Sequence, residues 1–200
     1  MIVDDIEYVE DELELFPTGA VHDGLLARDT PVQGLPCAGG FAVVFYPSGR
    51  LKLAWLSSPR LISGVPCSAN EVFYLHENGK LHNARLAQDC RIDGISLPAG
   101  TRATFDEYER MVEYSRQLQS DTLLGEFYCS ALFNVWLYST GNPSLVVLAA
   151  PVVLNGQQYP RGSELALNDD GTVARCGSAD LDSTQRYKQK IHGAIEISFD

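Results

Sequence analysis

The 200-residue sequence lacks the features that identify most exported, membrane-bound and thiolate-metal proteins. Its first residues, MIVDDIEYVEDE, contain neither a basic segment nor an apolar run, so a signal peptide is not expected. No apolar stretch reaches the roughly 18 residues that indicate a membrane-spanning helix. Five cysteines are present without a Cys-x-x-Cys pair, which disfavours zinc and favours reduced thiols. We therefore expect a cytoplasmic protein that does not contact a membrane.

Positive charge is also scarce, because 15 Lys and Arg residues stand against 26 Asp and Glu residues, for a net charge of −11. Such a chain repels nucleic-acid phosphates and anionic lipid on balance, so neither is an expected partner. Another protein is the expected partner, and a basic one would match the charge. Much of the acid lies in residues 3–15, VDDIEYVEDELEL, which we interpret as a solvated first strand protecting an open end, with a binding tail as the alternative.

Motifs that carry catalysis are missing from the sequence. There is no Gly-x-Ser-x-Gly elbow and no phosphate-binding glycine loop with Lys and Ser or Thr. Four histidines, His22, His76, His82 and His192, form no spaced pair, and His76 and His82 flank a turn, which favours exposed loop residues. The sequence predicts no catalytic residue, no metal ligand and no cofactor, and it disfavours an enzyme without excluding one.

What the sequence does contain is a repeat of about thirty residues. Gly19, Gly49 and Gly79 are spaced by thirty, and apolar residues fall in phase around them. Five columns are in register: Leu13, Val43 and Phe73; Leu15, Phe45, Leu75 and Phe105; Val21, Leu51, Leu81 and Met111; Leu26, Leu56 and Leu86; Val32, Ile62 and Ile92. A fixed period of this size indicates stacked similar units. We predict one domain over 1–200, with units starting near 13, 43, 73, 103, 135 and 165 and a C-terminal cap over 178–200.

The columns predict an all-β fold, because apolar residues two apart lie on one face of an extended chain. FAVVFYPSGRLKLAWL reads as two strands joined by a glycine turn, and LISGVPC reads as a third short strand in each unit. Two repeat architectures fit this pattern: a β-solenoid-like stack, which the in-phase third strand favours, and a ladder of hairpins, which the turns favour. Of the two we expect the solenoid-like stack. An ordinary β-sandwich is a third alternative.

The fourth unit departs from the pattern because Glu109 replaces the turn glycine. Asp106 and Glu109 resemble a helix capping pair, and apolar residues follow at helical spacing. A short amphipathic helix near 107–119 and another strand pair are both open at this point.

Three sets of chemically capable residues are interpreted as structural. Cys37, Cys67 and Cys129 share a column with Leu97 and Tyr159, so we expect buried thiols acting as small apolar groups, while Cys90 and Cys176 lie outside it. Asp29 and Asp89, with Asp121 nearby, alternate with proline, which favours a turn role over acid–base catalysis. The aromatic residues are expected to cover the sheet, with an exposed binding row as the alternative: Tyr46, Trp55, Tyr74, Phe127, Tyr128, Trp136 and Tyr138.

At the turns FYPSGRL and ENGKL the sequence resembles the bacterial hairpin-repeat proteins grouped near the MORN repeats, some of which are antitoxins. It is also similar to uncharacterised bacterial proteins with repeats of this length. The resemblance implies a bacterial β-repeat protein, and no functional residue is carried over from it. Three hypotheses follow: a non-enzymatic interaction or scaffold protein, a glycan-acting enzyme with carboxylates on the stack, and an immunity or antitoxin-like inhibitor of a basic partner.

Overall fold

The computed structural model describes residues 1–179, and every regular element in that range is a β-strand. The strands in chain order are β1 (Ile2–Val3), β2 (Ile6–Leu15), β3 (Val21–Leu26), β4 (Thr30–Val32), β5 (Leu35–Cys37), β6 (Ala42–Phe45), β7 (Leu51–Trp55), β8 (Arg60–Ile62), β9 (Val65–Cys67), β10 (Val72–Leu75), β11 (Leu81–Arg85), β12 (Cys90–Ile92), β13 (Ile95–Leu97), β14 (Arg102–Phe105), β15 (Met111–Gln117), β16 (Thr122–Leu124), β17 (Phe127–Cys129), β18 (Asn134–Tyr138), β19 (Pro143–Val147), β20 (Val152–Leu154), β21 (Gln157–Tyr159), β22 (Ser163–Leu167) and β23 (Val173–Ser178).

Thirteen of these strands form one open antiparallel sheet in the order β1-β2-β3-β6-β7-β10-β11-β14-β15-β18-β19-β22-β23. The prediction of an all-β fold is confirmed. The expected solenoid-like stack is wrong, and the strand pairing is that of the hairpin ladder, since every strand pair within residues 1–179 is antiparallel. A solenoid would instead stack equivalent strands of successive units upon one another.

The remaining ten strands form five small two-stranded hairpins, each lying between two hairpins of the large sheet. LISGVPC, expected to be one strand, is one of them: Leu61 and Ile62 end β8, and Val65 begins β9. Its turn residues Ser63 (φ 50°) and Gly64 (φ 79°) both have positive φ, as a tight type I′ turn requires. Serine rarely adopts this conformation, but the equivalent pairs Asp93-Gly94 and Asn155-Gly156 are typical of a type I′ turn, so comparing the units would have indicated it.

The first four small hairpins contact the second strand of the following large hairpin or the residue after it, and the hairpin of β4 and β5 shows how. At its turn, the Gln33 side-chain oxygen accepts a hydrogen bond from the Leu51 amide at 3.1 Å. At its other end, Cys37 forms an isolated β-bridge with Leu56. The predicted apolar columns meet between the two layers, and their most buried members include Leu26, Val32, Val43, Leu51, Leu56, Phe73, Leu81 and Leu86. The repeat therefore builds a two-layer core.

The hairpin turns of the large sheet share one geometry, and the fourth keeps it without glycine. Glu109 adopts a φ of 68°, where other units have glycine, as at Gly49 (φ 78°). The Asp106 Oδ1 atom accepts hydrogen bonds from the amides of Tyr108 and Arg110, both at 2.9 Å, which closes the turn. The helix suggested near 107–119 is therefore wrong. The aspartate that resembled a helix cap stabilises a β-turn, and β15 follows.

The N-terminus shows that the structural unit begins with a small hairpin. Strand β1 pairs with the start of β2 through a turn at Asp4 (φ 51°) and Asp5 (φ 64°). Tyr8 then pairs with Leu26, just as Cys37 bridges to Leu56 one unit later. The acidic first strand lies at the edge of the sheet, as predicted, but its first residues form the small hairpin of the first unit.

The chain divides into two compact parts, one from Met1 to Tyr114 and one from Ser115 onward. A two-residue insertion shifts the repeat between Met111 and Thr122, since the equivalent interval from Leu81 to Cys90 is shorter by two. The predicted cap over 178–200 lies outside the described residues beyond position 179, as does His192.

Candidate functional site

The two faces of the sheet in the first compact part differ in what covers them. The small hairpins pack on one face, and we call the other the open face. It consists of two cross-strand rows set by the strand register. The first row is Asp23, Val44, Leu53, Tyr74, Asn83, Thr104 and Glu113, and the second is Leu25, Ala42, Trp55, Val72, Arg85 and Arg102.

The centre of the open face is apolar and aromatic. Phe41, which precedes β6, is 39% exposed and stacks on Trp55 with ring centroids 5.3 Å apart and an interplanar angle of 19°. Val44 and Tyr74 are half-buried beside them, while Leu53 is buried. Aromatic groups that remain partly exposed on a rigid sheet provide contact area without needing to be ordered on binding.

One end of the open face carries a network around two arginines. The Glu71 carboxylate accepts a hydrogen bond from Arg102 Nη2 at 3.1 Å and forms an ion pair with Arg85, whose Nε lies 2.9 Å from Oε1 without a hydrogen bond. Arg102 Nη1 also donates to the Asn83 side-chain oxygen at 2.9 Å, and Asn83 donates to Thr104 Oγ1 at 2.7 Å. Burial lowers the pKa of Arg102, and the Arg85 charge acts in the same direction. Glu113 on β15 lies opposite Thr104 at the same end, so this end holds two guanidinium groups and two carboxylates.

The opposite end of the open face carries acid. Glu14 on β2 and Asp23 on β3 are directly opposed across the strands. The His22 Nδ1 atom lies 2.6 Å from Asp23 Oδ1 and 3.9 Å from Glu14 Oε2. The phenyl ring of Phe16 packs edge-on against the imidazole, with ring centroids 4.6 Å apart.

The aromatic residues Tyr46 and Tyr138, predicted to be equivalent, begin equivalent hairpin turns. Tyr46 donates its hydroxyl to the carbonyl of Leu75 at 2.9 Å, and Tyr138 donates to Leu167 at 2.7 Å. Each bond spans 29 residues and joins one turn to the next unit. These two tyrosines therefore cover and brace the sheet. Among the other aromatics, Phe127 is buried and Tyr128 is exposed on a small hairpin.

His76 and His82 form a pair that the sequence did not reveal. They are half-buried, with ring centroids 4.5 Å apart, and are not exposed loop residues. His76 Nε2 lies 2.9 Å from the Phe105 carbonyl oxygen. Burial lowers the pKa of His82, and the neighbouring His76 lowers it further. The same two positions of the unit, six residues apart, also meet at Phe16 and His22 and at Tyr46 and Lys52.

The aspartate column has the turn role that the sequence predicted. The carboxylates of Asp29, Asp89 and Asp121 each accept a backbone amide hydrogen bond from the residue ten positions later, at 2.9, 2.7 and 2.8 Å. These bonds close the segments that surround the small hairpins. The three carboxylates are thus engaged with the backbone.

The cysteine column is buried, as predicted. Cys37, Cys67 and Cys129 are at most 1% exposed, and Leu97 and Tyr159 are also buried at the equivalent positions. Burial raises the pKa of Cys37 to about 11, of Cys67 to about 12 and of Cys129 to about 11. Thiols held neutral in this way are poor nucleophiles and poor metal ligands. Cys90 is half-buried, and Cys176 is exposed.

A cleft of about 300 Å³ lies beside the first two small hairpins. Tyr8, Val21 and Phe45 are among the residues that line it, with Asp4 and Asp5 contributing acid. Its volume is at the lower end of the range for small-molecule sites. Burial and the nearby Asp4 charge raise the pKa of Tyr8 to about 12, so this phenol stays protonated at neutral pH.

Comparisons with known proteins leave the family open. No family model matches the chain, and no curated protein matches it. One solved structure, the crystal structure of the GtfA/B complex bound to UDP and GlcNAc, shares 13% sequence identity at a TM-score of 0.20. That match covers 84% of this chain and 30% of the other, so this chain spans less than a third of it. A likeness this weak carries no argument. Residues 1–179 contain no helix long and apolar enough to cross a membrane.

Proposed function

We propose that this chain is a non-enzymatic protein-interaction module and that the open face of residues 1–114 is its binding surface. The observation that carries the proposal is the arrangement of this face: an aromatic centre around Phe41 and Trp55, with charged groups at both ends. Protein interfaces commonly have an apolar, aromatic core and a polar rim. The partner is a protein, and its matching surface has an apolar centre.

The charges of the open face indicate the orientation of that partner. Glu14 and Asp23 at one end favour a basic group, whereas Arg85 and Arg102 at the other end lie beside Glu71 and Glu113 and favour a polar surface of mixed charge. Complementary charges of this kind mainly determine specificity and association rate. An inhibitor of a basic partner is an alternative that fits the net charge of −11.

A scaffold role suits the way in which this face is supported. The small hairpins brace the opposite side of the sheet, and bonds such as Tyr46 to Leu75 join successive units. A pre-organised surface loses little conformational entropy on binding. The glycan-acting alternative has less support, because Asp29, Asp89 and Asp121 already accept backbone hydrogen bonds.

Site-specific photocrosslinking tests the proposal. A benzoylphenylalanine at position 41 lies on the open face, whereas one at position 61 replaces Leu61, which is 65% exposed on the outer side of a small hairpin. In the native cell we expect a discrete crosslinked partner from position 41 and none from position 61. Phe41→Glu should abolish the complex with that partner, and Leu61→Glu should preserve it.

The opposite result would refute the assignment. If both glutamate variants bind the partner equally, or if only position 61 crosslinks, the open face is not the binding surface. Circular dichroism and the urea midpoint of each variant serve as folding controls, so that a loss of binding is not confused with unfolding.

A further inference from the structure

We propose that Glu14, His22 and Asp23 form a binding site for a divalent transition-metal ion, best represented by Zn²⁺. One nitrogen and two carboxylate oxygens, one ligand atom from each residue, all lie within 4.8 Å of one another. Imidazole and carboxylate are the ligand types that zinc and its neighbours accept. This inference does not depend on the proposed protein-binding function.

A β-bulge brings the three side chains to one place. Glu14 pairs with Asp23 and Leu15 pairs with Val21, so the register shifts at His22, which is the extra residue of the bulge. Adjacent residues of a regular strand point to opposite faces, and a bulge re-aims the extra side chain. His22 therefore approaches Asp23, its neighbour in the chain, with Nδ1 2.6 Å from the carboxylate.

The distances suit a metal after small side-chain adjustments. Metal–ligand bonds of about 2.0–2.2 Å in a tetrahedral site place neighbouring ligand atoms about 3.4 Å apart. The two measured separations from His22 Nδ1, 2.6 Å to Asp23 and 3.9 Å to Glu14, lie on either side of that value. The edge-on contact with Phe16 restrains the imidazole ring. The partly exposed carboxylates leave water access to the remaining positions.

Electrostatics give a reason for a cation at this place. Two like charges directly opposed across antiparallel strands destabilise the pair. Glu14 and Asp23 are such a pair, on a chain whose net charge is −11. A divalent ion offsets both carboxylates, whereas a protonated His22 offsets only one charge.

The repeat supplies internal controls at the same geometric positions. The equivalent triplets in the other five units are Val44, Lys52 and Leu53; Tyr74, His82 and Asn83; Thr104, Val112 and Glu113; Trp136, Ser144 and Leu145; Ala166, Ala174 and Arg175. Each of these has at most one of the residue types that bind zinc. The first unit alone combines a histidine with two carboxylates.

Zn²⁺ titration by isothermal calorimetry tests the site, using the full chain with Cys90→Ser and Cys176→Ser to remove accessible thiols. We expect one equivalent of Zn²⁺ to bind. Asp23→Asn and Glu14→Gln should each bind it more than about tenfold more weakly, because replacing even a residue that only hydrogen-bonds to a metal ligand lowers the affinity by about that factor. His22→Lys should abolish binding and still fold, because Lys52 occupies the equivalent bulge. His82→Gln is the matched control and should bind normally.

A second readout locates the ion directly. The long-range ¹H–¹⁵N spectrum of the His22 imidazole should show Nδ1 changing from a protonated to a metal-bound nitrogen on addition of Zn²⁺. Equal affinity in wild type, Asp23→Asn and His22→Lys would overturn the proposal. So would a spectrum in which Nδ1 keeps its proton at saturating Zn²⁺, which would leave a histidine–carboxylate ion pair only.

Discussion

Replacing Gly24 by alanine should destabilise the protein mainly because of the rigid ring of Tyr8, with a smaller contribution from the flexible end of Leu13. A Cβ atom at position 24 would lie 2.6 Å from Tyr8 Cδ1 and 2.9 Å from Leu13 Cδ1. Both distances are far below van der Waals contact. The equivalent positions in the next two units, Ala54 and Ala84, carry that methyl group and are buried. The clash therefore belongs to the first unit alone.

The units differ because of the residue that faces position 24. Tyr8 occupies the place of Cys37 and Cys67, since each of the three pairs with the leucine of the same column: Leu26, Leu56 or Leu86. In the first unit a large side chain faces a glycine, whereas in the next two units a small side chain faces an alanine. Overpacking of this kind costs about 1–3 kcal/mol, against a gain of about 0.5–1 kcal/mol for removing a glycine from a strand. We expect Gly24→Ala to lower the free energy of unfolding by about 1–2 kcal/mol.

A double-mutant cycle isolates the contact. Tyr8→Cys alone should cost about 3 kcal/mol, because Tyr8 is only 2% exposed and its ring leaves a cavity. Once the ring is absent, Gly24→Ala has room for its methyl group and should become mildly stabilising. The coupling free energy between the two changes should therefore be about 2 kcal/mol.

Urea unfolding followed by tryptophan fluorescence and circular dichroism measures all four corners of the cycle. Ala54→Gly is the control, expected to destabilise by about 0.5–1 kcal/mol, because no ring fills the space that it opens. A coupling free energy below about 0.5 kcal/mol, or a Gly24→Ala variant as stable as wild type, would refute the assignment of Tyr8 to the cysteine column.

Three further outcomes are expected. Tyr46→Phe should destabilise by about 1 kcal/mol in urea unfolding, because the Leu75 carbonyl loses its donor; an unchanged midpoint would contradict this. Burial and His76 depress the pKa of His82 in the folded protein. The contribution of His82 to the free energy of unfolding is therefore complete above the unfolded pKa of 6.5 and is lost as the pH falls towards the pKa of the folded state. His82→Gln should accordingly flatten the pH dependence of unfolding on the acid side of neutrality, and NMR titration should give His82 a pKa below 6.5. Iodoacetamide and mass spectrometry should label Cys176 in the native protein, with labelling of the buried column only after unfolding: Cys37, Cys67 and Cys129.

Residues that repeat in register were readable from the sequence alone. Leu26, Leu56 and Leu86 recur in phase, and all three are fully or almost fully buried. The cysteine and aspartate columns were assigned correctly for the same reason, since a position shared with leucine or proline cannot depend on the chemistry of a thiol or a carboxylate. The family resemblance and the cytoplasmic location stay predictions.

Features that depend on backbone conformations outside the usual range were not read correctly from the sequence. Ser63 and Glu109 adopt positive φ, which sequence patterns assign to glycine, so one turn was missed and another was interpreted as the start of a helix. The contact between His76 and His82 also required the three-dimensional structure, because it crosses a turn and a bulge.

The sequence by itself determined the period, the β class and the identity of the buried columns, because burial imposes the same demand on every unit. Only the tertiary structure decided that the units form a ladder of hairpins with a second layer of small hairpins on one side. That arrangement depends on hydrogen bonds between residues that are far apart in the chain, such as the one that the Leu51 amide donates to the Gln33 side chain. It also decided the candidate sites. The open face and the Glu14, His22 and Asp23 cluster exist because strand register and a bulge bring together side chains that no spacing in the sequence relates.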